Sequence, residues 1–458
     1  MNRAIFREYD IRGIVDRDLT LEIVETLGRG IGTWLKRRYK GDMVVGRDVR
    51  HSSKPFADAL MKGLNACGLD CVELGMVPTP LLYYAVNREG PDSYCGGIMI
   101  TGSHNPPDFN GFKICHGAVP VFGPDIQEIY ELIEKKDFES GTGTVRRMDV
   151  VSDYIEEVAG QIEIARPVKV VVDCGNGVAG PVAIPLLKKI GCDVRPLFEE
   201  PDGNFPNHHP DPTVVKYIQQ LIHETKSSDA ELGVGYDGDA DRIGAIDENG
   251  DILFGDTLTG IFSKPILAEN PGGKILFDVK CSQGLVEAIR AFGGTPVMWK
   301  TGHSHLKNKL KVEKAPMAGE MSGHVFFADR YYGYDDAIYA SCRLLEIVSK
   351  EKRPLSAIAS DIPKYFTTPE IRIDCPDDLK FAVVEKMLKR FQDEYEVNDI
   401  DGARIDFPNG WGLIRSSNTQ PVLVLRFEGK TAKDRDAIQR EIVGALSEHI
   451  DIPAELKV

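Results

Sequence analysis

The sequence predicts an α/β fold in which three similar mixed α/β (βαβ) domains and a C-terminal α+β domain form four domains around a central cleft. The 458 residues exceed what one compact core holds, at roughly 150 residues per domain. Apolar runs alternating with helical patterns occur three times in each of three successive stretches, and the last stretch follows a different plan. We place the domains at residues 1–150, 151–254, 255–364 and 365–458.

Each of the first three stretches contains three short apolar runs that predict β-strands. The runs begin near residues 42, 71 and 96, then 168, 192 and 231, then 273, 295 and 314. A polar, Gly-rich loop and a helical pattern follow the runs, and this alternation predicts βαβ units with parallel sheets. Ligand sites in such sheets lie beyond the carboxyl ends of the strands, so we expect the three third-strand loops to converge on one cleft.

The tail has the pattern of a smaller α+β domain. An amphipathic helix is predicted over residues 381–396, and a strand, tight turn, strand, loop and strand follow over residues 403–429. A final helix is predicted from residue 432. This order does not repeat the βαβ plan, and it raises the expected number of domains from three to four.

Composition and charge exclude two classes of function. Hydrophobic residues form 42% and charged residues 27% of the chain, as in ordinary globular proteins, and no stretch approaches about 18 consecutive apolar residues. The 70 acidic residues exceed the 55 basic residues by 15, which argues against a nucleic-acid binder. The opening residues show no apolar signal region and the nine cysteines show no zinc-ribbon spacing, so we expect a cytoplasmic protein with no membrane partner.

The motif TGSHNPP at residues 101–107 offers a candidate nucleophile. Ser103 follows an apolar strand and precedes two prolines that restrict the backbone, which predicts a rigid, exposed serine. A turn or helix-capping serine is the alternative. A hydrolase triad is disfavoured because the G-x-S-x-G elbow is absent.

The motif DGDADR at residues 237–242 offers a candidate metal site. In an extended segment Asp237, Asp239 and Asp241 project to one side, and three like charges this close need a cation. Oxygen ligands favour Mg²⁺ or Ca²⁺. An EF-hand loop is excluded because Arg242 takes the position of its required glycine, and a solvated acidic turn remains the alternative.

The motif GEMSGH at residues 319–324 places a carboxylate, a hydroxyl and an imidazole at alternate positions. Glu320, Ser322 and His324 on one face would bind two adjacent sugar hydroxyls. By itself the motif is equally compatible with a structural turn.

The motif RSSNTQP at residues 415–421 surrounds a guanidinium group with hydroxyls and loop amides. Such a loop suits a phosphate monoester, and a polar hairpin loop is the alternative. No P-loop motif occurs, so a nucleotide site of that type is not supported. The Pro-rich segment at residues 201–212 contains His208 and His209, for which we predict a packing role because no third metal ligand follows.

Five motifs in this order resemble those of the α-D-phosphohexomutase family: YDIRG, TGSHNPP, DGDADR, GEMSGH and RSSNTQP. The resemblance spans essentially the whole chain. The methionine in GEMSGH is most similar to the phosphomannomutase/phosphoglucomutase branch and less similar to the phosphoglucosamine mutases.

The resemblance implies a role for each motif. Ser103 matches the serine that carries a phosphoryl group, and Asp237, Asp239 and Asp241 match Mg²⁺ ligands, with an oxygen of phosphorylated Ser103 completing the set. The residues implied around the reacting phosphate are Arg12, His104, Lys113, Arg242 and His324. Those implied in substrate binding are Tyr9, Lys280, Gly302, His303, Glu320, Ser322, His324, Arg415, Ser417, Asn418 and Thr419.

The implied reaction is the isomerisation of hexose 1-phosphates and hexose 6-phosphates of mannose and/or glucose. It passes through a phosphoserine enzyme and a glucose or mannose 1,6-bisphosphate that reorients in the cleft, with Lys113 and His324 as candidate general bases. The expected partners are small sugar phosphates, bound by a monomer. A phosphoglucosamine mutase, a metal-dependent sugar phosphatase and a non-catalytic sugar-phosphate sensor are the alternatives.

Overall fold

A computed structural model describes residues 1–90, 93–117, 119–418, 420–453 and 456. These residues form four β-sheets, each with helices packed against it. In the described part of the chain no helix has both the length and the apolar character needed to cross a membrane.

The first sheet contains the strand order β1-β5-β4-β2-β3-β7, with β6 on β5. Its strands are β1 (Ile11–Ile14), β2 (Asp42–Arg47), β3 (Cys71–Met76), β4 (Tyr94–Ile100), β5 (Phe109–His116), β6 (Val119–Pro120) and β7 (Val145–Arg147). Its helices are α1 (Leu21–Lys36), α2 (Ser53–Ala66), α3 (Thr79–Arg88) and α4 (Pro124–Glu134). Helix α1 begins where the Thr20 side chain accepts from the Ile23 amide, as a capping threonine does.

The second sheet has the order β12-β11-β10-β8-β9. The elements of this stretch are α5 (Val151–Gln161), β8 (Lys169–Asp173), α6 (Gly180–Lys189), β9 (Asp193–Leu197), α7 (Gln219–Ser227), β10 (Leu232–Tyr236), β11 (Ile243–Asp247) and β12 (Ile252–Leu253).

The third sheet has the order β14-β13-β15-β16. Its stretch contains α8 (Gly255–Glu269), β13 (Lys274–Asp278), α9 (Gln283–Ala291), β14 (Thr295–Trp299), α10 (His303–Glu313), β15 (Met317–Gly319), β16 (Val325–Phe327), α11 (Ala337–Lys350) and α12 (Leu355–Ala359).

One topological feature recurs in these three sheets and positions the site. The predicted parallel pairing is present between β2 and β4, β8 and β10, and β13 and β15. The sheets are nevertheless mixed, because the strand that follows each third parallel strand returns antiparallel to it, as β5, β11 and β16 do. The loop between these two strands carries TGSHNPP, DGDADR or GEMSGH, so the three motifs occupy equivalent places.

The fourth sheet is antiparallel and confirms the predicted α+β plan. Its order is β17-β22-β21-β20-β19, with β18 also on β22. The elements are β17 (Phe366–Thr367), β18 (Ile371–Asp374), α13 (Lys380–Phe391), β19 (Glu396–Asn398), β20 (Ala403–Phe407), β21 (Gly410–Ser416), β22 (Val422–Gly429) and α14 (Ala432–Leu446). The RSSNTQP motif links β21 to β22.

Most of the buried apolar side chains of the fourth sheet form a cluster distinct from the one that links the other three sheets. One cluster of buried side chains runs from α3 of the first stretch through the second and third, and includes Leu82, Val182, Ile261 and Leu344. The fourth sheet packs its helices over a different cluster around Phe427. The large shared cluster therefore stops short of the fourth sheet, which is joined to the third stretch by a small cluster of Val279, Trp411 and Leu413.

Candidate active site

Ser103 lies in the loop between β4 and β5, at the carboxyl end of the central strand. Its backbone has a φ of 50°, in the left-handed region that a residue with a side chain seldom adopts. Its hydroxyl donates to Asp237 Oδ2 at 3.0 Å and lies 3.1 Å from His104 Nδ1. The predicted exposure is wrong, because Ser103 is 2% exposed and the aspartate loop of the second sheet packs over it.

The three aspartates lie in the tight connection between β10 and β11, where a turn rather than an extended segment brings their carboxylates together. Ala240 in this turn has a φ of 60°. Carboxylate oxygens of Asp237, Asp239 and Asp241 lie within 4.8 Å of one another, and all three side chains are fully buried. The predicted clustering is thus present, although it is produced by backbone curvature.

The burial of three carboxylates has an electrostatic cost that one lysine partly offsets. The Lys113 ammonium on β5 lies 2.7 Å from Asp239 Oδ2 and 2.5 Å from Asp241 Oδ2. Burial alone would lower the pKa of Lys113, but the aspartates outweigh it and hold that pKa above its ordinary value. Burial and the two neighbouring carboxylates raise the pKa of Asp237 well above its ordinary value.

The aspartate cluster fits a divalent cation. Asp239 Oδ1 and Asp241 Oδ1 are buried without a hydrogen-bond partner, which leaves two carboxylate oxygens free to coordinate. An all-oxygen donor set is the kind that hard cations select. Thr79 on α3 donates to the other oxygen of Asp239 at 2.6 Å and fixes the orientation of that carboxylate.

His324 stands between the aspartate cluster and a buried ion network. Its Nε2 accepts from Arg242 Nε at 3.0 Å, and its Nδ1 lies 3.0 Å from Asp335 Oδ2. Lys307 Nζ lies 2.9 Å from the second Asp335 oxygen. Burial raises the pKa of Asp335, but Lys307 and the histidines outweigh it and hold that pKa well below its ordinary value. A carboxylate facing Nδ1 favours the tautomer with Nε2 unprotonated.

Glu320, in the loop between β15 and β16, is buried, and its carboxylate accepts two hydrogen bonds. The Gly302 amide donates to Oε1 at 2.8 Å, and the Ser322 hydroxyl donates to Oε2 at 2.7 Å. Gly302 has a φ of 126°, and a side chain there would overlap the Tyr9 ring. Glu320 and Ser322 of the motif are thus bonded to each other, whereas His324 lies with Arg242 and Asp335.

The fourth loop approaches the cleft through a contact that joins three sheets. Tyr9 precedes β1, donates to the Thr301 carbonyl at 2.9 Å and accepts from Asn418 Nδ2 at 2.6 Å. Ser417 is 7% exposed in the same loop, and Thr419 lies outside the described residues.

Three further cations that line the cleft are each paired with a carboxylate. Arg415 Nε donates to Asp401 Oδ2 at 3.0 Å, and Lys280 Nζ donates to Glu370 Oε2 at 3.2 Å. Arg12 pairs in the same way with Asp10. The net charge of −15 therefore coexists with a cleft that gathers Arg and Lys side chains.

Histidine 303 also belongs to this cluster. Its Nδ1 lies 3.6 Å from Asp335 Oδ2, and its ring stacks on His324 at 5.5 Å between centroids. Burial, together with nearby Lys307, lowers the pKa of His303 well below its ordinary value, so its imidazole is neutral.

Several residues that shape the site were not predicted from the sequence: Asp48, Arg50, Thr79, Lys307, Asp335, Glu370 and Asp401. Asp48 and Arg50 follow an apolar strand, as the motif residues do, and this position was the one available signal. Asp335 is the first of two adjacent aspartates and Asp401 lies two residues after Asp399, and nothing in either loop indicates which acid enters the site.

Comparisons with known proteins bear directly on this geometry. Four family profiles match residues 3–140, 152–250, 254–366 and 370–445, and they describe phosphoglucomutase/phosphomannomutase alpha/beta/alpha domains I, II and III and the C-terminal domain. The chain belongs to the phosphoglucomutase/phosphomannomutase family. The four-domain α/β fold predicted from the sequence is confirmed, and a metal-dependent family agrees with the buried acidic cluster.

Relatives of the phosphoglucomutase/phosphomannomutase family match along nearly the full chain. The phosphomannomutase/phosphoglucomutase of Pseudomonas aeruginosa is 46% identical over 98% of this chain and 97% of its own length. The crystal structure of a phosphoglucomutase/phosphomannomutase family protein from Burkholderia thailandensis is 42% identical, with a TM-score of 0.93 over 99% of this chain and all of that chain.

A distant structure extends the comparison of folds. Aspergillus fumigatus N-acetylphosphoglucosamine mutase, in complex with GlcNAc-6P and magnesium, is 14% identical, with a TM-score of 0.60 over 96% of this chain and 94% of that chain. At this identity the likeness shows the fold alone.

Proposed function

We propose that this protein is a phosphohexomutase that interconverts the 1-phosphates and 6-phosphates of mannose and/or glucose. The observation that carries the proposal is the 3.0 Å contact between the Ser103 hydroxyl and Asp237, because it puts a nucleophile against a carboxylate cluster in which Asp239 Oδ1 and Asp241 Oδ1 have no hydrogen-bond partner. A family membership shown over the whole chain supports the same activity.

Each of the four domains supplies a different part of the proposed site. Residues 1–150 supply phosphorylated Ser103, residues 151–254 the metal ligands, residues 255–364 the sugar contacts of Glu320 and Ser322, and residues 365–458 the phosphate pocket around Arg415. The remaining proposed substrate contacts are Tyr9, Lys280, Gly302, His303, Ser417, Asn418 and Thr419. Because one chain supplies every loop, a monomer acting on cytoplasmic sugar phosphates suffices.

Asp237, Asp239 and Asp241, with an oxygen on Ser103, would hold Mg²⁺, which when bound offsets charge on the transferring phosphoryl group. Lys113 and Arg242 bring positive charge to the same place from β5 and from the aspartate loop. Charge that develops on the phosphoryl oxygens would thus meet fixed cations in a site closed to water.

The proposed transfer conserves atoms and protons. A substrate hydroxyl oxygen forms a bond to the phosphorus on Ser103 while the bond from phosphorus to Oγ breaks. His324 is the proposed base: its Nε2, which accepts from Arg242 Nε at 3.0 Å, takes the hydroxyl proton once Arg242 turns to the phosphoryl group, and that proton passes on to the Ser103 oxygen as it leaves. His104, with Nδ1 3.1 Å from Oγ, orients that oxygen, because burial lowers the pKa of His104 well below its ordinary value and leaves the imidazole neutral. We prefer His324 over Lys113 as the base, because the aspartates favour the protonated form of Lys113.

The bisphosphate formed in this step must turn end for end before its other phosphate returns to Ser103. A pocket made of cations and hydroxyls accepts either phosphate, whereas a pocket shaped to one sugar face does not. The separate core of the fourth sheet suits a domain that opens for this turn and closes again.

The test compares product types with and without the Ser103 hydroxyl. Wild-type protein with Mg²⁺ and catalytic glucose 1,6-bisphosphate should convert glucose 1-phosphate to glucose 6-phosphate, and Ser103→Ala should lose nearly all turnover. Ser360→Ala, at the exposed serine that follows α12, is the matched control. Dominant phosphate release would favour a sugar phosphatase, and binding with neither product would favour a sensor. Side-by-side kcat/KM values for mannose, glucose and glucosamine 1-phosphates would separate the phosphoglucosamine mutase alternative.

A further inference from the structure

The loop that carries Ser103 wraps around a single guanidinium group. Arg50 follows β2, and its side chain is fully buried. Nη2 donates to the Ser103 carbonyl at 3.0 Å and to the Asn105 carbonyl, while Nη1 donates to the Phe109 carbonyl at 3.1 Å and to the Pro106 carbonyl. Four carbonyls of one loop thus point at one cation.

Asp48 completes the arrangement from the opposite side of the loop. Its Oδ2 accepts from Arg50 Nε at 3.1 Å and from the Gly102 amide at 3.0 Å. With this bond all five N–H donors of the guanidinium are used, four on the loop and one on the carboxylate. The buried ion pair holds both amide and carbonyl groups of the loop backbone.

Gly102 and Phe205 pack closely against the Arg50 guanidinium. A Cβ at Gly102 would overlap the Arg50 guanidinium, so the absence of a side chain there admits the cation. Phe205, in the Pro-rich segment of the second stretch, lies with its ring centroid 5.4 Å from the guanidinium carbon. His209 of the same segment also bonds to the His104 carbonyl.

This set of bonds accounts for the strained backbone at Ser103. A φ of 50° at a serine costs energy and persists only where surrounding contacts over-determine it. With the carbonyls of residues 103, 105, 106 and 109 drawn to Arg50, the Ser103 side chain lies on the other side of the backbone, against Asp237.

We propose that Arg50 is a positioning residue for phosphoryl transfer: by binding the loop backbone it fixes the Ser103 oxygen in the geometry needed to accept and donate the phosphoryl group. The inference rests on the proposed function and adds a residue that has no contact with substrate in it. A lysine retains the charge but lacks the planar fork, so it cannot bind four carbonyls in this arrangement.

The experiment measures Arg50→Lys in the full-length protein with Mg²⁺. Because a misplacement of about 1 Å costs about 100-fold in rate, we expect kcat to fall about 100-fold with KM changed less than about threefold. The single-turnover rate at which glucose 1,6-bisphosphate phosphorylates Ser103, followed by intact mass, should fall by the same factor. If wild-type Ser103 is never phosphorylated, the proposed function fails; if wild type and Arg50→Lys are phosphorylated equally fast, only this inference fails.

A matched control separates positioning from stability. Arg343 on α11 is 4% exposed and forms a buried ion pair with Asp329 at 2.9 Å, and its contacts in the described part of the chain include no residue of the Ser103 loop. Arg343→Lys should lower Tm yet leave kcat within about twofold. An equal fall in kcat for both variants would overturn the inference. If Arg50→Lys does not fold, Gly102→Ala decides, since its methyl group displaces the guanidinium; a kcat near wild type for that variant would overturn it too.

Discussion

Ser103 donates a 3.0 Å hydrogen bond to Asp237, although the two residues lie 134 positions apart and on different sheets. The proposed phosphoryl carrier and the proposed metal ligands therefore meet only when the first two stretches have docked. The shared apolar cluster that includes α3 and α6 stabilises this docking. Catalytic competence and the packing of two sheets are consequently linked.

Replacing Asp237 with asparagine should make the metal-free protein more stable and the enzyme inactive. Burial and like charges on Asp239 and Asp241 destabilise the Asp237 carboxylate, and asparagine removes one of the three charges. Without divalent cation, Tm should rise above that of the wild type. The stabilisation by Mg²⁺, about 2.7 kcal/mol at 100 times Kd, should fall to less than half, and kcat should fall about 100-fold or more.

Thermal unfolding with EDTA and with Mg²⁺ gives both values. Asp251→Asn, at an exposed aspartate after β11, is the matched control and should leave the Mg²⁺ response unchanged. An unchanged response in Asp237→Asn would contradict the assigned metal ligand.

Tyr9→Phe should weaken substrate binding more than it slows turnover. The substitution removes the hydroxyl that joins Thr301 and Asn418, and it leaves the half-buried Asn418 amide without that acceptor. The cost for such a group is about 1 to 3 kcal/mol, and at its lower end, about 1.4 kcal/mol, KM should rise about tenfold, because the closed arrangement of the fourth sheet loses stability. Steady-state kinetics measure it.

The control for Tyr9 is Tyr395→Phe, which removes a hydroxyl that donates to Glu441 at 2.8 Å on the exposed side of the fourth sheet. Its KM should equal that of the wild type. A tenfold loss confined to kcat in Tyr9→Phe would contradict this account, because it would show that the hydroxyl affects the phosphoryl-transfer step rather than the closed arrangement of the fourth sheet.

Arg415→Lys should raise KM for the hexose 1-phosphate and for the hexose 6-phosphate by the same factor. The guanidinium is oriented by Asp401 and offers paired donors that a lysine cannot reproduce. Hydrogen bonds to charged groups are worth about 1.5 to 3 kcal/mol, so KM should rise about 10- to 100-fold. Assays started from the 1-phosphate and from the 6-phosphate should show equal factors, and a loss for one isomer alone would contradict a pocket that holds either end.

His208 should contribute pH-dependent stability. Burial lowers the pKa of His208, but the Asp173 carboxylate 3.0 Å away outweighs it and raises that pKa above its ordinary value. A raised histidine pKa stabilises the fold fully below the unfolded value of about 6.5, and the contribution disappears as pH rises through the folded value. The Tm difference between wild type and His208→Gln should be largest near about pH 6 and small near about pH 9.

The exposed His223 on α7 provides the reference variant for this series. A Tm difference for His208→Gln that stays constant between these pH values would show that the pairing with Asp173 has no electrostatic part.

The repeated loops were predictable because their signals are local. An apolar strand followed by Gly-rich polar residues is visible in TGSHNPP or DGDADR without knowledge of the rest of the chain. The antiparallel return strands were harder to recognise: β5, FNGFKICH, mixes polar and apolar residues, yet its interior is buried on both faces. A central position in the sheet, rather than alternation, determines that pattern.

Features that depend on distant parts of the chain could not be predicted. The burial of Ser103 depends on the aspartate loop of another sheet, and the orientation of His324 depends on Asp335, the first of two adjacent aspartates after a Tyr-rich segment. Arg415 is oriented by Asp401 across the fourth sheet. The Ser103 contact forms only when two sheets dock, whereas the other two pairs form when one stretch folds back on itself. In all three cases the residues next to each partner in sequence do not indicate the contact.

Whether the phosphoryl group passes through Ser103 is tested most directly by a transfer experiment with labelled bisphosphate. Dephosphorylated protein is mixed with glucose 1,6-bisphosphate carrying radioactive phosphate, and the protein is then exposed to unlabelled glucose 1-phosphate. Label should appear on Ser103 no more slowly than steady-state turnover and should then move to the sugar. Isomerisation that proceeds at the wild-type rate with no label on Ser103 would contradict the phosphoserine mechanism.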